Sequence, residues 1–583
     1  MKPVRLPASA TLALPRWGLF SLCLLYILPG LFGRDPWKNE DAAGFGIMWT
    51  MAHGQWQDWL WPNIVGLPMA EEGPLTFWLG AICIQLFSPV LGDVLAARIA
   101  TITFFMLGAL AVWYSTYHLG RRNEAQPLKL AFGGQPEPKD FGRTLADAAL
   151  LIYLGSLGLL LNSHQSSAEA LNISLVALLC YTCIRYADQA GMRHAVRIGI
   201  TLGALALNRG WLMPLALWLS LFLCWPWLGI SIMRSSRDML TSLLIAILVV
   251  AVWLLPAHFL QPFHSTPYSA WMNWNWAQIS FPNPDSIKYF VRYGIWFFWP
   301  AWPLAAWAVY AWRRQERALH IALPMCFLAT LTFLAWINPN QAESQLLPLL
   351  PAGVILAAFG LPTMKRGAIN AIDWFAVMSL SICAAVIWLF WIAMQTGWPA
   401  QLAKNALKLA PGMQPQINWL AFIIALAASL GWIVLVHWRV SRNPTVLWRA
   451  VVLSSGGVIL CWLLLMTLFL QWGDYRLSYI SVARQVAQSL PKTSHCTETN
   501  ASPAQRASLA YLGNIQFSRF GGEQCETLLL RDSIKMRDDK EIASRFRGKQ
   551  WKLIWEGRRP ADHDERFRLY QRIAATPIST RKE

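Results

Sequence analysis

The chain has 583 residues, of which 55% are hydrophobic and only 14% charged, and several apolar runs reach eighteen residues or more. Those figures exclude a soluble globular protein and require a polytopic membrane protein. The formal net charge of +18 lies mainly in predicted cytoplasmic loops and the C-terminal region, where it serves topology and contact with anionic lipid rather than nucleic acid.

In chain order, stretches that can span a bilayer occur near residues 12–32, 99–118, 143–162, 170–186, 195–208, 210–229, 239–260, 289–312, 319–337, 345–362, 371–394, 418–437 and 450–472, thirteen in all. The first has no small-residue cleavage site after it and reads as a retained anchor. Basic segments alternate along the chain, at the N-terminus, Arg121 to Arg143, Arg185 to Arg197, Arg234 to Arg237, Arg313 to Arg317, Lys365-Arg366 and Arg439 to Arg449. The positive-inside rule makes them cytoplasmic. Leu75 to Ser88, between Pro74 and Pro89, would be a helix of about 21 Å, short of the ~30 Å hydrocarbon core. It belongs at the outer interface, so 33–97 forms one long external loop.

Chemistry is to be sought on that external face, because carboxylates inside a bilayer are costly unless they line a wet cavity. Arg34-Asp35-Pro36-Trp37-Lys38-Asn39-Glu40-Asp41 leaves the first span with three carboxylates and two cations in eight residues. One reading is structural: Asp35 pairs with Arg34 or caps a helix beginning at Pro36, and Glu40 and Asp41 lie on its polar face. The other is that Asp35, Glu40 or Asp41 does acid-base work.

Downstream, residues 122–142 read as a mobile cytoplasmic loop. Asn208-Arg209-Gly210 interrupts an otherwise apolar stretch of about thirty residues, where Arg209 is either an interfacial anchor or an anion ligand. Thirty-four tryptophans gather at external ends, mostly as an aromatic belt. From about 473 the composition turns polar, with helix patterns at Tyr479–Leu490 and Pro503–Leu512 and strand-like runs at Thr527–Leu530 and Trp551–Trp555. Of ten cysteines only Cys496 and Cys525 lie in this part, and they can form a disulfide if it faces the cell exterior. No phosphate-binding Gly-x-x-x-x-Gly-Lys loop, Gly-x-Ser-x-Gly elbow or zinc-spaced Cys/His cluster occurs.

Glu40-Asp41, then Gly54-Gln55-Trp56, then Glu71-Glu72-Gly73-Pro74-Leu75 resemble the GT-C superfamily of polyprenyl-phosphate-dependent glycosyltransferases, in the branch that holds the bacterial lipid A aminoarabinose transferase and the protein O-mannosyltransferases. Those enzymes carry an Asp-Glu pair just after the first helix, a Gly-x-Trp element and a Glu-Lys-Pro-Pro-Leu-like element, in this order and spacing. The chain reverses Asp-Glu to Glu-Asp and has Glu72 in place of the lysine, which points to a donor or acceptor unlike that of the best-known members. Leu95-Ala96-Ala97-Arg98 resembles the start of the family's next span, His164 and Glu169 fall where it has a second acidic residue, and Arg209 falls at its Lys-Gly or Arg-Gly pair. Residues 338–351 resemble a family loop, with Gln341, Glu343 and Gln345 where many relatives carry Lys or Arg.

The resemblance implies a GT-C membrane domain of about thirteen helices at 1–472 and a small periplasmic α/β domain at 473–583, in a bacterial inner membrane with the active site facing the periplasm. It implies inverting transfer of a sugar from a polyprenyl (undecaprenyl) phosphate to an envelope acceptor, whether lipid A or lipopolysaccharide, another glycan or a protein. Glu40 or Asp41, with Asp35 as a further catalytic candidate, would act as base or charge stabiliser. Glu169 and Glu71 would line the site or hold a divalent metal. Arg209 would hold the phosphate, with Arg98, His164, Glu72, Gln341 and Gln345 as further substrate contacts. Two rivals remain: a transporter or flippase of lipid-linked saccharides, which would carry ionisable groups at midspan, and an O-antigen ligase or polymerase, whose key residues lie in a large late loop.

Overall fold

The computed structural model describes residues 4–129, 134–227, 231–260, 266–442, 446–491, 495–519, 525–533, 551–562 and 564–573. Of the loop read at 122–142, residues 130–133 lie outside them. A helix forms at each of the thirteen predicted spans. Among the described residues, seven helices are long and apolar enough to cross a bilayer, among them Asp93–Gly120, Ala168–Asp188, Leu319–Ile337 and Arg366–Thr396, and Arg16–Ile27, Leu75–Leu91, Leu212–Pro226 and Leu349–Thr363 are shorter apolar helices. The chain is a multi-pass membrane protein.

Some spans are interrupted: 143–162 is covered by Pro138–Leu154 and Leu159–Asn162, and 450–472 by Arg449–Leu468 and the start of Leu470–Leu477. The stretch at 289–312 is two helices, Pro284–Phe297 and Ala301–Trp312, because Pro300 has no amide hydrogen to continue the ladder.

The first loop runs from α1 (Arg16–Ile27) to α4 (Asp93–Gly120) and holds two helices, α2 (Glu40–His53) and α3 (Leu75–Leu91). The short apolar segment expected at the interface is α3. Helix α2 begins at Glu40 rather than Pro36, after Asn39 at φ 74°. Its glycines permit close packing on both sides: a Cβ on Gly44 would run into the Ser166 carbonyl oxygen, and one on Gly46 into the Ala507 side chain. Backbone cannot move aside as a side-chain tip can, so Gly44→Ala should cost about 1–3 kcal/mol or more. A thermal melt of the detergent-solubilised variant checks this.

Between α2 and α3, β1 (Asn63–Ile64) and β2 (Leu67–Pro68) form a hairpin that turns at Val65 and Gly66, both at positive φ (49° and 82°). A β-branched residue there is strained. The buried Arg506 holds the turn by donating to the carbonyls of Ile64 (3.0 Å), Val65 (2.7 Å) and Ser518 (2.7 Å).

Arg506 belongs to the C-terminal domain, where β3 (Thr497–Thr499), β4 (Thr527–Ser533), β5 (Trp551–Gly557) and β6 (Glu565–Arg572) make a sheet of order β3-β4-β6-β5. β3 runs parallel to β4 and the other pairings are antiparallel. Helices Ile480–Ser489 and Pro503–Gly513 pack on it, sharing a core with Phe567 and Leu569. Cys496 and Cys525 are bonded. Helix Pro503–Gly513 also lies on α2, where Tyr511 meets Phe45 edge-on at 4.8 Å, so the domain is seated directly on the first loop.

Candidate active site

The first loop is held by a buried cluster in which Asp41 pairs with both Arg34 and, at 3.9 Å, Arg98. Arg34 (7% exposed) donates to Asp41 (1% exposed) at 2.5 Å and to the His164 carbonyl at 2.8 Å. Asp41 also accepts from the amides of Trp37 (3.1 Å) and Ser166 (2.8 Å). Burial alone would lift its carboxyl, but the Arg34 and Arg98 guanidinium groups and the two amides hold it below the usual carboxylate range. A carboxylate so fully engaged is a poor base. Asp41 is therefore a clamp that ties the loop to the segment before Ala168–Asp188, and its neighbour Glu40 is left exposed.

Asp35 is likewise spoken for. Its carboxylate accepts from Ser478 at 2.6 Å, and its amide donates to Asp474 at 2.9 Å, which also accepts from the Trp37 indole at 3.0 Å. Asp474 is raised by burial and by the nearby Asp35. Nothing in the sequence marked Asp474, because its partners lie more than four hundred positions earlier in the chain.

Arg98 and His164 are structural as well. Arg98 donates to the carbonyls of Leu31 (2.6 Å), Arg34 (3.0 Å) and Asp35 (3.2 Å), closing the turn that ends α1. His164, 1% exposed, accepts from the Trp462 indole at 3.0 Å, and burial pushes its ring down to about 4, so it is neutral.

The second half of the site lies where the Glu71-Glu72-Gly73-Pro74 turn presses on Asn208-Arg209-Gly210. The Gly73 amide donates to the Asn208 carbonyl at 3.1 Å, and Thr76 donates to the Asn208 side chain at 2.5 Å. A Cβ on Gly73 would strike the Leu207 carbonyl. Two motifs read separately from the sequence thus form one unit. Glu71 is exposed; Glu72 is 8% exposed, and its Oε2 has no hydrogen-bond partner among the described residues.

Burial raises the Glu72 carboxyl from 4.5 to about 7, against the pull of Arg209 and with the push of Glu40 and Glu71. All three charges are thus within electrostatic reach of it. A raised acid keeps its proton in the folded chain where the unfolded chain has lost it. Its stability contribution is full below 4.5 and falls as the pH rises toward 7. Melting temperature should decline over that window in the native chain, and Glu72→Gln should flatten the decline.

Arg209 ends the helix Met192–Asn208 and forms an ion pair with Glu169, whose side chain is 6% exposed. The Gly210 turn is tight, with Asn275 Oδ1 where a Cβ would stand and accepting from the Trp211 amide at 3.0 Å. Arg209 faces a small open cleft of about 80 Å³ with Asn172, Asn275, Gln278, Asn338 and Gln345. Asn172, 4% exposed, leaves its Oδ1 unpartnered among the described residues. A guanidinium at the start of helix Leu212–Trp227, ringed by amides, suits an oxyanion. Sequence reasoning found Arg209, Glu169 and Gln345; it missed the amides from other helices, which carry no local signal. Gln341 lies elsewhere, exposed beside Tyr289 and Phe290.

No group of three His, Cys, Asp or Glu side chains able to hold a metal occurs among the described residues.

No protein-family model and no characterised sequence matches the chain. Solved structures do. ArnT from Cupriavidus metallidurans bound to undecaprenyl phosphate superposes with a TM-score of 0.66 at 14% identity, over 95% of this chain and 97% of that one. The apo form of the same protein gives 0.64 at 15% identity over the same shares. The chain shares the fold of ArnT. That fold accounts for the helical membrane part and the small terminal sheet domain together, since the likeness runs through both.

Proposed function

We propose that the chain is a membrane glycosyltransferase that moves a sugar from a polyprenyl phosphate to an envelope acceptor, with the site and the C-terminal domain on the periplasmic side of a bacterial inner membrane. The observation that carries this reading is the pairing of an exposed carboxylate, Glu40, on a clamped loop with a cationic, amide-lined cleft at Arg209, both within electrostatic reach of Glu72. The shared fold of ArnT, solved with undecaprenyl phosphate bound, supports it.

In this reading Glu40 takes the proton of an acceptor hydroxyl as its oxygen attacks the anomeric carbon. The bond from that carbon to the phosphate oxygen breaks, and the electron pair leaves with the phosphate. Arg209 stabilises the growing charge there. Attack opposite the leaving group inverts the anomeric configuration.

The test is transfer of radiolabelled sugar from a panel of polyprenyl-phosphate sugars to envelope fractions by the purified chain. Transfer from one donor is the expected outcome. If the chain instead moves the labelled lipid across proteoliposomes and transfers nothing, the flippase reading replaces this one.

A further inference from the structure

A second open cleft, of about 630 Å³, lies where the first loop meets the C-terminal domain, above the ~300 Å³ at which small-molecule sites begin. Lys38 and Asn39, the two residues before Glu40, form one wall, and Asn500, Arg531, Ser533 and Asp562 contribute to the others. Only Ala504 among the lining residues lacks a polar side-chain atom. A groove that reads peptides needs pockets for apolar side chains, and this one offers none.

Its floor is a buried network. Gln505 donates to the Tyr479 hydroxyl at 3.1 Å, and that hydroxyl donates to Glu565 at 3.2 Å. Arg531 pairs with Glu565 at 2.9 Å, and Arg559 pairs with Asp562 at 2.5 Å while lying 4.6 Å over the Tyr479 ring. Arg559 is 3% exposed, and its Nε lies 3.5 Å from Glu565 with no hydrogen-bond partner among the described residues. Arg531 with Glu565 and Arg559 with Asp562 offset one another, while Lys38, Asp532 and Asp564 add charge of both signs to the walls. The walls present fixed guanidinium, carboxylate and amide edges, each able to make two in-plane hydrogen bonds. That set matches neighbouring hydroxyls on a sugar ring.

We propose that this cleft binds the saccharide part of the acceptor, and that Lys38 and Asn39 deliver its reactive hydroxyl to Glu40. The word acceptor rests on the transferase reading; the saccharide site rests on the cleft. Arg531→Ala removes one edge of the wall, and Ser533→Tyr fills the space while leaving the Glu565 pair in place. Neither residue belongs to the catalytic loop or the Arg209 cleft.

The experiment uses the full chain in detergent and two readouts. Saturation-transfer NMR reports binding of oligosaccharides released by mild acid from bacterial envelope glycolipids, with envelope peptides as the comparison ligand. Quenching of tryptophan fluorescence reports binding of undecaprenyl phosphate. Sugar protons should receive saturation from the native chain, and both variants should bind about ten-fold more weakly or worse, the loss expected for a hydrogen bond to a charged group. Undecaprenyl phosphate binding should not change in either variant, and Ser533→Tyr, which keeps the Glu565 pair, should also keep the native melting temperature. No sugar signal with the native chain, an undiminished signal in both variants, or binding of the peptides alone would each overturn the site. Sugar binding without any undecaprenyl phosphate binding would instead sink the transferase reading and leave the cleft as a saccharide site.

Discussion

Glu40→Gln is expected to lower sugar transfer by about 10²–10⁴-fold, the range for loss of a positioned general base, while melting temperature and undecaprenyl phosphate binding stay as they are. Glu40 is exposed, on the first turn of α2, and Gln keeps its shape. Asp41→Asn should behave differently. It removes the charge that Arg34 and two backbone amides hold in a nearly water-free position. Leaving a buried guanidinium without its partner costs roughly 3–5 kcal/mol, so stability and activity should fall together. Asp35→Asn can still accept from Ser478 and should lose little. Initial rates and melts on the three variants separate these outcomes. Near-native transfer by a folded Glu40→Gln chain would overturn the assignment of the base.

Arg209→Met should raise the KM for the polyprenyl-phosphate donor and depress turnover as well, because a phosphate ligand acts in both the bound and the departing state. It also strands Glu169, whose side chain is 6% exposed, and removal of one member of a buried pair destabilises by roughly 3–5 kcal/mol. The double change Arg209→Met with Glu169→Gln removes the stranded charge, so it should regain melting temperature without regaining transfer. Arg209→Lys keeps the charge but loses the planar fork that grips two phosphate oxygens, and should fall between. Recovery of transfer in the double variant would mean that Arg209 serves only Glu169.

Local chemistry made much of this molecule readable. Spans are runs of apolar side chains long enough for a bilayer, so helices occur at the thirteen positions that hydropathy marks. The strand runs at Thr527 and Trp551 and the helix at Pro503 follow from periodicity and capping in the same way. The breaks within 143–162, 289–312 and 450–472 were not foreseen; at 289–312 hydropathy is blind to the amide hydrogen that Pro300 lacks.

The division of labour among carboxylates was beyond any local signal. Glu40 and Asp41 are adjacent and chemically alike, yet one is exposed and the other sealed beneath Arg34 and Ser166. Gln341 and Gln345 stand one helical turn apart in sequence, and only Gln345 lines the Arg209 cleft. The sequence by itself determined the membrane class, the helix positions and the set of charged residues outside the spans, since hydrophobicity and spacing are properties of short segments. Which of those charges is buried, neutralised or left free to react was decided by the tertiary structure, because desolvation and ion pairing depend on groups that only folding brings together.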